Sequence, residues 1–445
     1  MAGQGIGWWN GWGGLERRGT LGRTVVSAAF SGESFLVTKP SDSASPTSGR
    51  GEVAKHDVAV VGGGVIGLSL AWELLRRGQR VVIMDRAPVG RATSWAAAGI
   101  LPPANADRAT DPIDRLRGFS HVLWPVWCRQ LAAATGIDPQ LHRCGGLYLA
   151  ETPGEAAAMT GMEGYWQDLN IDCQRLSRQQ LLADFPWLRP WVESNRWITG
   201  HPEAAGWWTP DEYQIRPPRF LSALERACQL AGADIRTPFA ASHISADAGG
   251  VTVEASGAES GPAVRACQVV LCGGAASGWL DPRMRLQQAI VPIRGQILLL
   301  HHEAIRQRMI VNLGHQYLIA RGDGHVLVGS SEEEVGFQLG TTKEVMDELQ
   351  AFARRLMPEL NGATERTRWS GLRPMTFDGF PMLGTLPDTT GTTWHGRVHV
   401  AAGHYRSGVH LAPGTAVAMA DHLQGKRSFM GLDAFGVGKQ QSSTS

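Results

Sequence analysis

At 445 residues the chain is long enough for more than one domain, since single cores rarely grow past about 250–300 residues. Its 42 basic and 41 acidic residues nearly cancel, which argues against nucleic acid or a charged surface as the main partner. No apolar run reaches the roughly 18 residues of a membrane span, so the class that survives is a small-molecule enzyme with a cleft between domains.

The six cysteines are irregularly spaced and include no CxxC, which suggests neither a disulfide framework nor a zinc site and fits a reducing compartment. Residues 1–55, with "GIGWWNGWGG" and then "KPSDSASPTSGRGE", hold no helical or strand period and are expected to be a disordered extension. They lack the apolar core of a secretory signal, and Glu16 and Glu33 are unlike a transit peptide. An over-long start is the alternative explanation.

From His56 onward, "HDVAVV" predicts a buried strand, "VIGLSLAWELLRRG" a helix stopped by Gly78, and "RVVIMD" a second buried strand, together a β-α-β unit. Residues 115–134 carry a second helical pattern. "PPRFLSALERACQLAGA" carries a third, opened by prolines and closed at Gly232. Short strands follow through "VTVEA" and "CQVVLCGG", then "QYLIARGDGHVLVGSS" predicts a hairpin. A helix from about Lys343 to Leu356 comes next, then "GLRPMTFDGFPMLG", and "RVHVAAGHYRSGVHLAPGTAVAMADHLQG" reads as strand, turn and helix. Trp207 and Trp208 are expected to pack at a domain interface or line a pocket, the interface being favoured.

Between the first strand and first helix, Gly62, Gly64 and Gly67 satisfy GxGxxG, and Asp85 ends the second strand. Glycines allow a tight turn and close approach to a pyrophosphate, the helix start offers amides and a positive dipole end, and the acid accepts from ribose hydroxyls. The loop alone serves FAD or nicotinamide. The following "GRATSWAAAGIL" tilts the choice to a flavin, because Gly90, Arg91, Thr93 and Ser94 supply donors while Ala96, Ala97, Ala98 and Gly99 keep volume low beside a flat ring.

Five motifs in order, "VVGGGVIG", "GRATSWAAAGIL", "QYLIAR", "GLRPMTFDGFPMLG" and "AAGHYRSGVHLAP", resemble the D-amino-acid oxidase family of flavoprotein oxidases, and within it the glycine-oxidase branch, over residues 56–425. The resemblance implies an α/β fold. A Rossmann-like FAD-binding domain would be drawn from 56–131, 214–290 and 374–425, and a discontinuous substrate domain, built on an antiparallel sheet plus helices, from 132–213 and 291–373. Residues 426–445 remain as a tail. It implies noncovalent FAD held by the Gly62–Gly67 loop with Val65 and Ile66, by Asp85, Arg86, Arg91, Ala92, Thr93, Ala98, Gly99 and Ile100, by backbone near Ala241, and by His404, Tyr405, Ser407, Gly408, Val409 and His410. Asp85 stands where the family usually has glutamate. The absence of cysteine after Cys272 and of lysine from 56 to 342 departs from the sarcosine-oxidase pattern of tethered flavin and ring-side lysine.

The implied reaction is hydride transfer from a small amino acid (glycine, with sarcosine or D-alanine as further candidates) to the flavin, giving an imine, glyoxylate, ammonia and, from oxygen, hydrogen peroxide, in the cytoplasm and in support of thiamine thiazole synthesis. Such chemistry needs positioned groups more than a strong base. An arginine fork suits an α-carboxylate. By itself Arg373, between Leu372 and Pro374, is a packing or ion-pair residue; within the family motif it is the carboxylate clamp, with Arg406 a second substrate-side arginine and Tyr317 a substrate-side hydroxyl. The helix after Gly408 would aim its positive end at the flavin pyrimidine. A homo-oligomer is implied, and a D-amino-acid dehydrogenase or a noncatalytic flavin-binding subunit are the alternative functions.

Overall fold

A computed structural model describes residues 55–201, 206–257 and 261–438. The expected extension 1–55 therefore lies outside the described residues except for Lys55, as does the end of the expected tail from residue 439. The fold is α/β, with a Rossmann-like sheet and a second, mainly antiparallel one.

The first sheet is organised by His56–Val61, which pairs in parallel with Val81–Met84 on one side and Val264–Leu271 on the other. Their stretches Val58–Val61, Val81–Met84 and Val269–Leu271 read as unbroken apolar runs because both faces are covered there. Asp234–Arg236 extends the sheet beyond Val81–Met84, while Gly250–Ala255 and Ala241–Asp247 form an antiparallel ribbon beyond the first half of Val264–Leu271. The second half of that strand pairs in parallel with Val398–Ala402, itself joined by Met382–Thr385. Helices Val65–Arg76, Pro112–Thr135, Pro217–Leu230 and Gly408–Leu423 pack together on one face. Their core includes Leu68, Leu70, Trp124, Trp127, Phe220 and Met419. The second helix starts three residues before the pattern expected from the sequence, because the Asp111 side chain accepts from Ile113 N at 2.8 Å and Pro112 fits the first turn.

The second sheet runs in the order Thr364–Thr376, Ile290–His301, His325–Gly329, Gln316–Arg321, Arg308–Leu313, Gly146–Leu149, Gly206–Thr209, Gln174–Leu176. Only the pairing of Arg308–Leu313 with Gly146–Leu149 is parallel. Alternation sorts its side chains: Leu298 and Leu300 meet Met346, Leu349 and Phe352 of helix Lys343–Leu356, whereas Ile297, Ile310, Tyr317, Ile319 and Leu327 face Ala98, Ile100 and Trp369. Trp207 and Trp208 sit inside this sheet, which corrects the interface expectation. Trp207 is fully buried with its indole N–H donating to Glu163 at 3.1 Å, and Trp208 packs on Phe185. A strand pattern only four residues long gave no sign of which face each ring would take.

A three-stranded patch, Ile100–Leu101 with Tyr213–Gln214 with His142–Arg143, ties the flavin-loop region to the second sheet. Glu212 anchors it. Its carbonyl accepts from the amides of Cys144 and Gly145, and its buried carboxyl accepts from the Tyr148 hydroxyl at 2.7 Å and the Thr209 hydroxyl at 3.2 Å. Gly146 makes the room, since a Cβ there would lie 1.9 Å from Glu212 Oε2. Burial pushes the carboxyl from 4.5 up to about 7. An acid with a raised folded-state value stabilises the fold fully below its unfolded value and ceases to do so as the pH rises through the folded one. The gap is worth about 3 kcal/mol. Between about pH 5 and about pH 7.5 the wild type is therefore expected to lose more melting temperature than Glu212→Gln, and parallel pH profiles in thermal unfolding would contradict this titration.

Candidate active site

The glycine loop is shaped by contacts that exclude side chains. Gly62 has φ +110, and a Cβ on it would meet the Cys272 carbonyl at 2.6 Å; one on Gly67 would meet Gly62 O at 1.9 Å. Helix Val65–Arg76 thus starts directly against its strand. Gly64 caps it with no side-chain bond and the first turn holds no acid, so the positive end of the helix is not neutralised from within. Asp85 accepts from Gly63 N through Oδ2 at 2.7 Å and from Ala87 N through Oδ1 at 3.0 Å. Each oxygen keeps acceptor capacity for hydroxyls.

Residues 90–100 fold back over this loop. Gly90 N donates to Gly63 O at 2.7 Å, and Val65 N donates to Ser94 Oγ at 2.9 Å. Arg86, Arg91 and Ala92 are exposed at the rim, while Thr93, Ala98 and Ile100 are half-buried. Gly99, at φ +77, passes so close to Ile215 that a Cβ would stand 2.2 Å from its carbonyl. Ala241 follows Phe239, whose amide donates to Asp85 O at 2.7 Å, so that segment also borders the end of the acid-bearing strand. A side-chain-free turn, an unneutralised helix start and a partly free acid fit the diphosphate and ribose of a dinucleotide.

Ties from two strands, Thr364–Thr376 and Gln316–Arg321, connect this cradle to the second sheet. The Thr93 hydroxyl donates to Leu372 O at 2.8 Å and accepts from Leu372 N at 3.3 Å. Trp369 Nε1 donates to Ala96 O at 3.1 Å, and Gly371 lies so near Ala96 that a Cβ would come within 2.8 Å of its methyl. The second tie is Arg321, which sequence reasoning passed over. Its buried guanidinium donates to Ala98 O at 2.6 Å, Ile215 O at 3.0 Å and Gln214 Oε1 at 3.2 Å. Burial pushes its pKa down to about 10, so it remains charged at neutral pH. The available signal was a cation closing the apolar strand "QYLIA", the same oddity that singled out Arg373.

Arg373 lies one residue beyond the Thr93 tie, opposite Ile293 in register. Its guanidinium donates to Ser331 O at 3.1 Å and to Ser330 Oγ at 2.8 Å. Burial lowers its pKa, opposed by Tyr317, Glu332 and Glu333 and assisted by Arg406, so each of these groups lies within electrostatic reach of it. Tyr317 is buried, opposite Gly329 in the neighbouring strand. Two glycines clear this ground. A Cβ on Gly295 would sit 2.1 Å from Arg373 Nη2, and one on Gly329 would sit 2.4 Å from the Tyr317 hydroxyl.

Arg406 comes from the turn Tyr405–Ser407, where Tyr405 has φ +47, and its Nη2 is 3.5 Å from Glu332 Oε2. That turn packs against the strand of Arg373. Helix Gly408–Leu423 begins there, again with no acid in its first turn and no side-chain cap. His404 is buried, with Nε2 3.1 Å from the Thr415 hydroxyl, and burial pushes it down to about 3, so it is neutral. Val409 and His410 point into the helical layer; the His410 carbonyl accepts from Trp124 Nε1 at 3.0 Å. The structure thus gathers Arg373, Tyr317 and Arg406 at one place, and the Gly62–Gly67 loop, Asp85 and residues 91–100 at another, joined through Thr93 and Arg321.

A family model described as FAD dependent oxidoreductase matches residues 57–422. The glycine oxidase of Pseudomonas putida is 33% identical over 374 residues, covering 83% of this chain and 94% of that protein. The bifunctional protein ThiO/ThiG of Trichormus variabilis is 28% identical, covering 88% of this chain and 56% of that longer protein. Among solved structures, glycine oxidase from Geobacillus kaustophilus matches with a TM-score of 0.77 at 28% identity, over 86% of this chain and 99% of that one.

The glycine geometry yields a direct test. Gly67→Ala puts a methyl where Gly62 O already stands, and the loop must open to accept it. The variant is expected to purify with less than about a tenth of the wild-type flavin absorbance per protein, since a misplaced turn cannot approach the pyrophosphate. Full flavin content would refute this account of the loop.

Proposed function

The chain belongs to the DAO family of FAD-dependent oxidoreductases, and on that premise we propose that it oxidises glycine or a comparably small amino acid to the imine, with glyoxylate and ammonia following by hydrolysis and hydrogen peroxide formed from oxygen. The observation that carries this reading is the convergence of Arg373, Arg406 and Tyr317 beside the segment, residues 91–100, that forms the flavin cradle. The names of the relatives, glycine oxidase and ThiO/ThiG, support glycine as substrate and thiamine thiazole synthesis as the use of the imine. The reading includes a cytoplasmic homo-oligomer, with sarcosine and D-alanine as further substrates. Among the described residues no helix is long and apolar enough to cross a membrane.

FAD, when bound in the cradle of Gly62–Gly67, Asp85 and residues 91–100, would supply the hydride acceptor and the redox chemistry with oxygen. The protein's part is placement. Arg373 receives the α-carboxylate on a fork already oriented by Ser330 and Ser331, so little rotamer entropy is lost on binding. Tyr317 offers a hydroxyl to the same end of the substrate, and the two ties at Thr93 and Arg321 set the distance from that anchor to the cradle. No general base is required when the amine arrives neutral. The wall next to Tyr317 is Ile297, Ile319, Leu327 and Trp369, which presents an apolar surface on that side of the site. The proposed flavin segments 56–131, 214–290 and 374–425 carry the cradle, and the proposed substrate segments 132–213 and 291–373 carry the clamp.

Anaerobic glycine is expected to bleach the flavin absorbance, and aerobic turnover to release peroxide. Arg373→Ala should weaken substrate binding by about 2–5 kcal/mol, the usual result of stranding one partner of a charged pair, with FAD retained. Gly295→Ala should weaken it as well, because the new methyl displaces the guanidinium. Unchanged substrate affinity in both variants, or no bleaching with glycine, sarcosine or D-alanine, would overturn the reading.

A further inference from the structure

Carboxylate binding does not account for Glu332, an acid standing beside the two arginines. The segment that carries it is firmly held. Glu333 exchanges backbone hydrogen bonds with Arg294 at 2.8 and 3.0 Å, and its carboxylate accepts from Arg294 at 2.5 Å, Gln296 at 2.8 Å and the Ser331 hydroxyl at 2.6 Å. Ser331 Oγ also accepts from Gln296 N at 3.0 Å. These bonds fix residues 331–333 against strand Ile290–His301, so the Ser331 carbonyl meets Arg373 while the next side chain, Glu332, meets Arg406.

The Glu332–Arg406 contact is long, 3.5 Å, and both side chains keep part of their exposure, 33% and 23%. Such a pair contributes at most about 1 kcal/mol to folding, too little to explain an acid on so rigid a support. Its effect on local charge is larger. Arg294 and Glu333 cancel, and Glu332 cancels Arg406, which leaves the single charge of Arg373 for the ligand.

We propose that Glu332 is a specificity-determining residue: by neutralising Arg406 it restricts the anchor to ligands with one carboxylate, and its loss opens the site to dicarboxylates. This rests on the reading of Arg373 as the carboxylate clamp. A second carboxylate on a substrate would meet Glu332 first and be repelled; with a neutral residue there it would meet the Arg406 fork, which suits a carboxylate. Charges a few ångströms apart at a partly exposed site still differ enough to move affinity by about tenfold or more.

The test uses the FAD-loaded full chain and reads dissociation constants from the flavin absorbance change with acetate and with malonate, at one pH and ionic strength. Glu332→Gln is expected to bind malonate about tenfold tighter than wild type while acetate shifts by less than about threefold. Glu332→Asp, which keeps the charge, is expected to stay near wild type for both anions. No gain for malonate, equal gains for both anions, or an aspartate variant that behaves like the glutamine one would overturn the proposal. Arg373→Ala separates the two layers. If it leaves acetate affinity unchanged, the clamp reading falls and the proposal with it; if it abolishes acetate binding while Glu332→Gln brings no malonate gain, only the role of Glu332 falls.

Discussion

The hydroxyl of Thr93, bonded to both the carbonyl and the amide of Leu372, is the joint on which the candidate site depends. Thr93 belongs to the segment that closes over the glycine loop, and Leu372 immediately precedes Arg373. Reacting atoms must approach within about 3–3.5 Å for a productive geometry, a tolerance that two separately mobile layers would not hold. One side chain occupying both backbone groups of a strand residue removes sliding along the strand. Arg321, reaching from the second sheet to Ala98 O, removes rotation about that joint. The cradle and the proposed clamp therefore behave as parts of one frame even though more than 270 residues separate Thr93 from Leu372.

The buried cations are held in two distinct ways. Arg321 and Arg373 are bonded to carbonyls, a hydroxyl and an amide, with no carboxylate in their hydrogen bonds. Dipoles orient a guanidinium without cancelling its charge, so Arg373 can still attract an anion. Arg294, by contrast, is matched to Glu333, and its charge is spent within the frame. Burial raises the electrostatic worth of whichever charge is left uncancelled. The same logic applies to the starts of the helices at Val65 and Gly408, neither of which has an acid in its first turn.

Much of this was legible in the sequence because its signals are local. The glycine loop, the first β-α-β unit, the hairpin around residue 322 and the helix from Lys343 each announce themselves within a few turns of chain. Arg373 was legible as an anomaly that acquired meaning from motifs elsewhere. What escaped was set by register. Gly329 matters because it faces Tyr317 across the strands and Gly295 because the Arg373 side chain of the neighbouring strand lies over it, and neither has a local mark that separates it from any other glycine. Arg321 and Glu332 escaped for a related reason: their partners, Ala98, Ile215 and Arg406, are brought to them only when distant layers dock. The paired tryptophans were misplaced since a short apolar strand says little about what covers it.

Gly329 never approaches a ligand through a side chain, yet it decides where the hydroxyl of Tyr317 can stand. The signature of the proposed site, one tyrosine and two arginines, is therefore not self-sufficient. A homologue could carry all three and still be inert if bulk were placed on the strand opposite, and a search that scores only the residues proposed to touch the substrate would count it as a working enzyme. Sorting active from silent members of such a family calls for reading the empty positions as well as the occupied ones.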